Sequence, residues 1–453
     1  MISPPKKRRP IRFLFRWAFR LTAIAVFIAV VAGVYFLRDG LYNHFVTYPK
    51  QAQAWADLKK EFKPVSLDDG WNEYRGIIHS HSHLSHDSEV PFEDILKVMK
   101  EIKMDFILMS DHCDENLADY SKQWRGMHDG KLFVPGFEMG DGFMPTFLPA
   151  ETILKKDTPP ATLAQEVADK GGLLFYVHSE EPRQWDLPQL NGMEIYNIHA
   201  DFKDVKMNTL IPDIICNVGS YRPQLMRSIY HHRAEVLKGW DELNLTRKIT
   251  GFGGNDCHQN SGFRAFYEEK NENGVVQPVV RIEDTSPDTK ATINLNFLTR
   301  GLLRLVAGPL EPGKKLFHLQ LDPYELMGQF CNTYVLAKDL SEESLKDSLK
   351  NSRAFVGFTQ LADCRGFVCF MQNASGKAVM GETIALAPDT HLRAGAPLPC
   401  RFTVLKNGEV QFQQEGRELD YQPKALGKYR VEVELNILGV LTPWIYTNPI
   451  ELK

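Results

Sequence analysis

The sequence predicts an α/β fold, because three patterns along its 453 residues each indicate one part of such a protein. Short apolar runs alternate with helical patterns over residues 74–264, which is typical of a parallel sheet or barrel. Residues 318–453 are dominated by short strand patterns, which indicate a β-sandwich-like C-terminal domain. Residues 21–37 carry no charge and are apolar, as expected for a single transmembrane helix.

The amino terminus is strongly cationic. Residues 1–20 hold seven Lys or Arg and no acidic residue, so the remainder of the chain is acidic, given a net charge of -4. An acidic body disfavours nucleic acid as a partner, because contacts to phosphates dominate such binding. The hydrophobic fraction of 43% and the charged fraction of 24% are those of a globular protein.

The cationic flank precedes the apolar run, and this order predicts the membrane topology. We expect residues 1–20 to be a cytoplasmic tail and residues 21–37 to be an uncleaved signal anchor. The rest of the chain would then lie outside the cytoplasm, in the periplasm, held by a single pass through the inner (plasma) membrane. A cleaved signal peptide is the alternative, since it shares a basic start and an apolar run. Residues 38–73 read as a connector, with a helical pattern over 50–62.

The first chemical signal is a pair of histidines at the end of a short apolar run. Alternate residues of a strand point to the same side, so His79 and His81 can direct both imidazoles at one point. Asp87 follows six residues later and supplies a carboxylate. Two imidazoles and a carboxylate suit Zn, Mn or Fe.

The same pattern of an apolar run followed by polar residues recurs through residues 74–264. Seven such runs are predicted strands: 77–78, 106–109, 132–134, 173–177, 193–196, 214–216 and 249–252. Helical patterns lie between several of them, at 91–103 and 161–170. In barrels built from such units, functional residues cluster at the carboxyl ends of the strands. The polar residues after the runs are His79, Asp111, His112, Glu138, His178, Asn197, His199, Asn217, Asp256 and His258.

In order and spacing, these motifs resemble those of the PHP family, the polymerase and histidinol phosphatase superfamily. The resemblance covers about residues 74–260. It implies a distorted seven-stranded (β/α) barrel with two or three divalent metal ions that hydrolyses phosphate esters. The motifs that carry it are His79 and His81 with Asp87, Ser110-Asp111-His112, Gly136-Phe137-Glu138, His178 and Asp256-Cys257-His258.

The resemblance also implies a role for each matching residue. It assigns Glu138 and His178 to the second metal, and Asp256, His258, Glu138 and Asp111 to the catalytic set. Asp111 would orient a ligating imidazole, since such rings usually need a partner on the other nitrogen. The first metal would be bound by His79, His81, Glu138 and Asp256. The third would be bound by Asp87, His112 and His258.

One departure from the family pattern leaves the number of metals open. A further His commonly follows the Glu motif, but residues 139–150 contain none. Asp141 could substitute, and His199 could also approach the site. Two alternatives to a phosphoesterase therefore stay open: a catalytically weak, metal-stabilised binding module, and a metal-assisted hydrolase of another ester or an amide.

A phosphorylated small molecule is the expected substrate, and its charge needs cationic partners. Arg183 follows His178 and Arg264 follows His258, so both are candidates for binding the phosphate, although either could be an ordinary surface arginine.

The carboxyl-terminal part carries no metal motif. Residues 265–317 are polar, with turn signals at 271–274 and 311–313, and are predicted to be an irregular linker or insertion. A helical pattern covers 341–352. The later strand patterns include 402–405, and Asn407-Gly408 predicts a tight hairpin turn after it.

Overall fold

The structure is a computed structural model that describes residues 10–272, 275–284 and 290–453, and it is a mixed α/β protein. The chain divides into two compact units. The first contains Met1–Gln53 and Asp204–Ile229, and the second contains Ala54–Lys203 and Tyr230–Lys453. Of the predicted basic tail, residues 1–9 lie outside the described part of the chain.

The helices of the described residues are α1 (Pro10–Tyr42), α2 (Tyr48–Lys60), α3 (Phe92–Glu101), α4 (Pro160–Asp169), α5 (Ile198–Asp204), α6 (Met207–Asn217), α7 (Arg222–Ser228), α8 (Ala234–Thr246), α9 (Phe297–Ala307), α10 (Tyr324–Phe330) and α11 (Glu342–Lys350). A short π-helical turn joins α1 to α2. The helices predicted over 50–62, 91–103, 161–170 and 341–352 are thus present as α2, α3, α4 and α11.

The strands of the described residues are β1 (Asn72–Ser80), β2 (Phe106–Leu108), β3 (Asp111–His112), β4 (Leu117–Asp119), β5 (Gly126–His128), β6 (Lys131–Val134), β7 (Phe137–Glu138), β8 (Phe143–Thr146), β9 (Ile153–Lys155), β10 (Leu173–Tyr176), β11 (Leu190–Asn197), β12 (Thr250–Cys257), β13 (Gly262–Glu272), β14 (Val275–Asp284), β15 (Lys290–Asn294), β16 (Lys314–Gln320), β17 (Asn332–Ala337), β18 (Ala354–Gly357), β19 (Val368–Asn373), β20 (Gly376–Val379), β21 (Thr383–Ile384), β22 (His391–Lys406), β23 (Glu409–Tyr421), β24 (Gly427–Ile437), β25 (Val440–Thr447) and β26 (Ile450–Leu452).

In the first unit, α1 packs against α6. One helical stretch of the described chain, Trp17–Lys60, is long and apolar enough to cross a membrane. The strand predicted at 214–216 is wrong, because these residues belong to α6. The buried residues of α6 include Asp213 and Asn217, which are one helical turn apart and hydrogen-bond to each other. A short apolar run alone did not distinguish this helix from a strand.

The second unit is organised around parallel strands. Strands β6, β2, β1, β12, β11 and β10 pair in that order, all in parallel. Strand β8 pairs antiparallel with β10, and an isolated bridge joins its residue Thr146 to Gly136, just after β6. Side chains at the carboxyl ends of these parallel strands therefore meet at one edge. The sequence predicted all six parallel strands.

The C-terminal strands continue the same sheet. Strand β17 pairs antiparallel with the first half of β1, β18 pairs with β17, and β25 pairs with β18. Hydrogen bonds of one sheet thus join residues on the two sides of the predicted division at 264 and 318. The division into domains itself stays a prediction. The predicted hairpin turn joins β22 to β23, with positive φ at both Asn407 and Gly408, as a type I′ turn requires.

The segment predicted to be an irregular linker has regular structure instead. Strands β15, β14, β13 and β16 form a four-stranded antiparallel sheet in that order, and α9 follows β15. We call Gly262–Gln320 the 262–320 segment. Its strands mix apolar with charged residues, and Phe263, Val276 and Phe317 are among the apolar residues that are exposed, so the pattern did not indicate a buried sheet. Of the turn predicted at 271–274, residues 273 and 274 lie outside the described residues.

Candidate metal centre

Four predicted ligands converge at the carboxyl ends of the parallel strands. His79, His81, Glu138 and Asp256 each offer a ligand atom, and these atoms lie within 4.8 Å of one another. Nε2 of His79 is 3.1 Å from Oδ1 of Asp256 and 3.2 Å from Oε2 of Glu138. Nε2 of His81 is 3.2 Å from the same Asp256 oxygen. We call these four residues the first cluster.

A second cluster adjoins the first and shares His81 with it. His81, Asp87, His112 and His258 also place their ligand atoms within 4.8 Å of one another. Oδ2 of Asp87 is 3.2 Å from Nε2 of His258 and 3.4 Å from Nε2 of His112. The imidazole rings of His81 and His258 are stacked, with centroids 3.8 Å apart.

Two further histidines face the outer side of the first cluster. Nε2 of His178 lies 3.4 Å from Oε1 of Glu138 and 3.5 Å from Oδ2 of Asp256. Nδ1 of His199 lies 3.6 Å from the same Asp256 oxygen. His199, at the start of α5, thus lies beside Asp256 of the first cluster. Residues 139–150, which follow Glu138, supply no His.

The backbone at three of these residues is left-handed. His79, His178 and Asp256 have φ of 76°, 51° and 48°, and each lies at the carboxyl end of a central strand. A positive φ is costly for residues other than glycine and persists only where surrounding contacts enforce it. The sheet and the hydrogen bonds at these positions therefore fix the direction of the three side chains.

Glu194 is a functional candidate that the sequence analysis did not select. Its Oε1 lies 2.5 Å from Nδ1 of His79, and its Oε2 accepts a hydrogen bond from the backbone N–H of His178 at 2.6 Å. Glu194 is buried, and a Cβ at position 254 would overlap its carboxylate, so Gly254 makes room for it. A carboxylate within the apolar run 193–196 was the available signal.

Asp111 contacts His81 indirectly, through the hydroxyl of Ser85. It accepts hydrogen bonds from Ser82 and Gln123, and the hydroxyl of Ser85 lies 3.3 Å from its Oδ1. The same hydroxyl is 2.9 Å from Nδ1 of His81. The predicted orienting role of Asp111 is thus one step removed from the imidazole.

Buried polar atoms without a hydrogen bond are a further indication that the site can bind a cation. Oδ1 of Asp256, Nε2 of His258 and Oδ1 of Asp87 are buried atoms for which no contact with a described residue, including those at 3.1 and 3.2 Å given above, has the geometry of a hydrogen bond. Buried polar atoms are nearly always satisfied, so unsatisfied ones need an explanation. All three belong to residues of the two clusters, and a bound divalent ion would satisfy them.

The carboxylates of the first cluster are held in their ionised form. Burial alone would raise the pKa of Asp256, but the imidazoles of His79, His258 and His199 together hold it well below its usual range. Burial is likewise opposed at Glu138, where His79 and His81 lower the pKa of the carboxyl. Metals bind carboxylates in the ionised form and imidazoles in the neutral form.

The clusters open into a cavity of about 470 Å³, and two cationic side chains also line this cavity. Arg183 lines it and is nearly buried, with its guanidinium against Gly142, where a Cβ would leave no room for it. Lys203 lines the cavity as well and lies 3.5 Å from Glu181. Arg264 instead pairs with Glu89 at 2.9 Å and is not among the described residues that line the cavity.

Of the comparisons with known proteins, the one with solved structures found a similar protein. No family model and no curated protein matches the chain. Among solved structures it is similar to a two-domain protein from Bacteroides vulgatus that contains a predicted PHP-like metal-dependent phosphoesterase. That match covers 86% of this chain and 98% of the other, at 12% identity and a TM-score of 0.36. At this level of similarity, any assignment of function depends on the geometry of the clusters.

Proposed function

We propose that this chain is a membrane-anchored, metal-dependent phosphoesterase of the PHP type, with a distorted seven-stranded barrel, that hydrolyses a phosphorylated small molecule. The observation that carries the proposal is the pair of adjoining ligand clusters, joined at His81, which open into a cavity containing Arg183 and Lys203. Two adjacent metal sites beside cationic side chains suit the transfer of a charged phosphoryl group.

Three groups of residues would hold the metals. His79, His81, Glu138 and Asp256 would bind the first, and Asp87, His112 and His258 would bind another. Glu138, His178 and His199 would bind the remaining one, with His199 in place of the His that the sequence lacks after Glu138. Imidazole and carboxylate together suit Zn, Mn or Fe.

Divalent metals bound at such a site lower the pKa of a bound water to about 7 and polarise the oxygens of the phosphate. The residues of this chain prepare the site for that chemistry. Glu194 accepts from Nδ1 of His79, so the lone pair of Nε2 faces the cluster. Ser85, held near Asp111, contacts Nδ1 of His81 and favours the same orientation there. Arg183 and Lys203 offset the charge of the phosphate in the cavity.

The test is hydrolysis of p-nitrophenyl phosphate and bis(p-nitrophenyl) phosphate by the full-length chain in detergent, loaded with Mn or Zn. We expect turnover that requires metal and is lost in Asp256→Asn. Asp69→Asn is the matched control, because Asp69 is a buried carboxyl that accepts from the backbone N–H of Trp71 and does not line the cavity. Turnover should persist in that variant.

Two results would contradict the phosphoesterase proposal. A chain that binds metal at full occupancy but hydrolyses neither ester would favour the binding module. Hydrolysis of p-nitrophenyl acetate or a peptide amide, without hydrolysis of either phosphate ester, would favour carbonyl chemistry by the same ligands.

We also propose that α1 crosses the inner (plasma) membrane, with the cationic residues in the cytoplasm and the second unit outside. The apolar stretch from Trp17 and the cations before it support this orientation. A periplasmic reporter enzyme fused to Lys453 should be active in bacterial cells, and a fusion active only in the cytoplasm would contradict the topology.

A further inference from the structure

Helix α9, in the 262–320 segment, presents an apolar face to solvent. Phe297 is 92% exposed, Leu305 83% and Val306 88%. Leu298 and Leu302 are also strongly exposed and lie on the same side of the helix. Soluble proteins rarely expose adjoining large apolar side chains in this way, and such patches usually contact a membrane or another protein.

The orientation of this face is set by contacts on the opposite side of the helix. Arg300 donates to Glu269 of β13, and Lys314 of β16 donates to the backbone oxygen of Ala307 at 2.6 Å. A capping box between Asn296 and Thr299 fixes the first turn. The four-stranded sheet therefore holds α9 with its apolar face outward.

The charges around the face select the kind of partner. Helix α9 contains Arg300 and Arg304 and no acidic residue. Lys314 and Lys315 begin the next strand. A helix with large apolar residues on one side and arginines on its polar side is typical of those that lie in the interface of an anionic bilayer. The chain also carries a helix long and apolar enough to cross a membrane.

We propose that the apolar face of α9, formed by Phe297, Leu298, Leu302, Leu305 and Val306, inserts into the surface of an anionic lipid bilayer. The chain would then contact the membrane through a second element besides α1. This inference does not depend on the hydrolase proposal, because it rests on the exposed side chains and charges of α9.

The membrane contact would be connected to the candidate metal centre. Strand β13 begins four residues after His258, and the carboxyl of Asp322, just beyond β16, accepts from the backbone N–H groups of Asn260 and Ser261. Asn260 lines the cavity of the metal centre. The sheet that holds α9 therefore begins and ends beside the wall of that cavity.

The test introduces the photoreactive residue p-benzoylphenylalanine at Leu305 of the full-length chain. The protein is reconstituted into vesicles of phosphatidylcholine with phosphatidylglycerol, irradiated and analysed by mass spectrometry. We expect a phospholipid adduct at this position. The matched control carries the same photoreactive residue at Val440, an exposed apolar position on β25, and should give no lipid adduct. Adding Leu302→Glu to the Leu305 probe should abolish the adduct, because a carboxylate would be repelled from the bilayer.

Three results would overturn the proposal. Crosslinking of Leu305 to a second copy of the chain would show that the face is a dimer interface. The absence of any adduct at Leu305 would show that the face contacts no lipid. Equal lipid adducts at Leu305 and Val440 would show that contact with the vesicle is not specific to α9.

Discussion

The metal-ligand clusters and the 262–320 segment are neighbours in sequence, but they differ in how their side chains are stabilised. In the clusters, ionisable side chains such as His79 and Asp256 are buried and contact one another. On α9, apolar side chains such as Phe297 are exposed and contact little of the protein. The first arrangement fixes atoms for chemistry. The second leaves a surface that can adapt to a fluid partner.

The largest effect should separate the two regions by their contribution to stability. Phe175, on β10, is wholly buried in the core beside Phe252, so Phe175→Ala should lower the free energy of unfolding by about 3–5 kcal/mol. Phe297→Ala removes the same atoms from an exposed position, so it should change the free energy of unfolding by less than about 0.5 kcal/mol. Denaturant unfolding of the full chain in detergent, followed by circular dichroism, measures both. Equal losses would mean that α9 packs against the protein.

The next prediction tests whether the first cluster depends on its hydrogen-bonded surroundings. Glu194→Gln keeps the size of the side chain but removes the charge that holds His79, so metal affinity should fall roughly 10–100-fold. Competition with a chelator followed by metal analysis measures this change.

The matched control for this variant lies in the 262–320 segment. Glu268 pairs with Arg281 at 2.8 Å on the exposed sheet, and Glu268→Gln should leave metal affinity unchanged. Unchanged affinity in Glu194→Gln would show that the sheet alone orients His79. Reduced affinity in both variants would indicate a nonspecific loss of structure.

The same contrast explains what could be predicted from the sequence. An apolar strand that ends in a residue able to bind metal is a local pattern. Such patterns and their order selected His79, Glu138 and Asp256, whose ligand atoms the structure brings together. His199 and Glu194 were not assigned as ligand or orienting partner. Their roles depend on how β11 lies beside β10 and β12, and a single sequence does not show that pairing.

The 262–320 segment was misjudged for a different reason. Prediction of strands relied on buried, apolar residues, whereas few side chains of this sheet are buried, Tyr267 and Val279 among them. Its strands mix apolar with charged residues, and the apolar side chains of α9 are exposed. Patterns of burial in water do not describe a surface whose partner is a membrane.

The smallest effect concerns Asp322, at the junction of the two regions. Burial raises the pKa of its carboxyl from 3.8 to about 6, against the hydrogen bonds from Gln320, Ser261 and Asn260. The folded chain thus holds this proton more tightly than the unfolded chain does. The stabilisation from the protonated carboxyl is fully present below about pH 4 and is lost as the pH rises through about 6.

Asp322→Asn removes this titration, since an amide stays neutral at every pH. The difference between the unfolding free energies of the native chain and the variant should therefore fall by about 1 kcal/mol from about pH 5 to about pH 7. Lost hydrogen bonds in the variant would shift that difference by a constant and leave its slope unchanged. Denaturant unfolding at both pH values measures the slope. A difference independent of pH would mean that Asp322 is already ionised at pH 5, and that the backbone N–H groups of Asn260 and Ser261 hold a carboxylate at the edge of the metal centre.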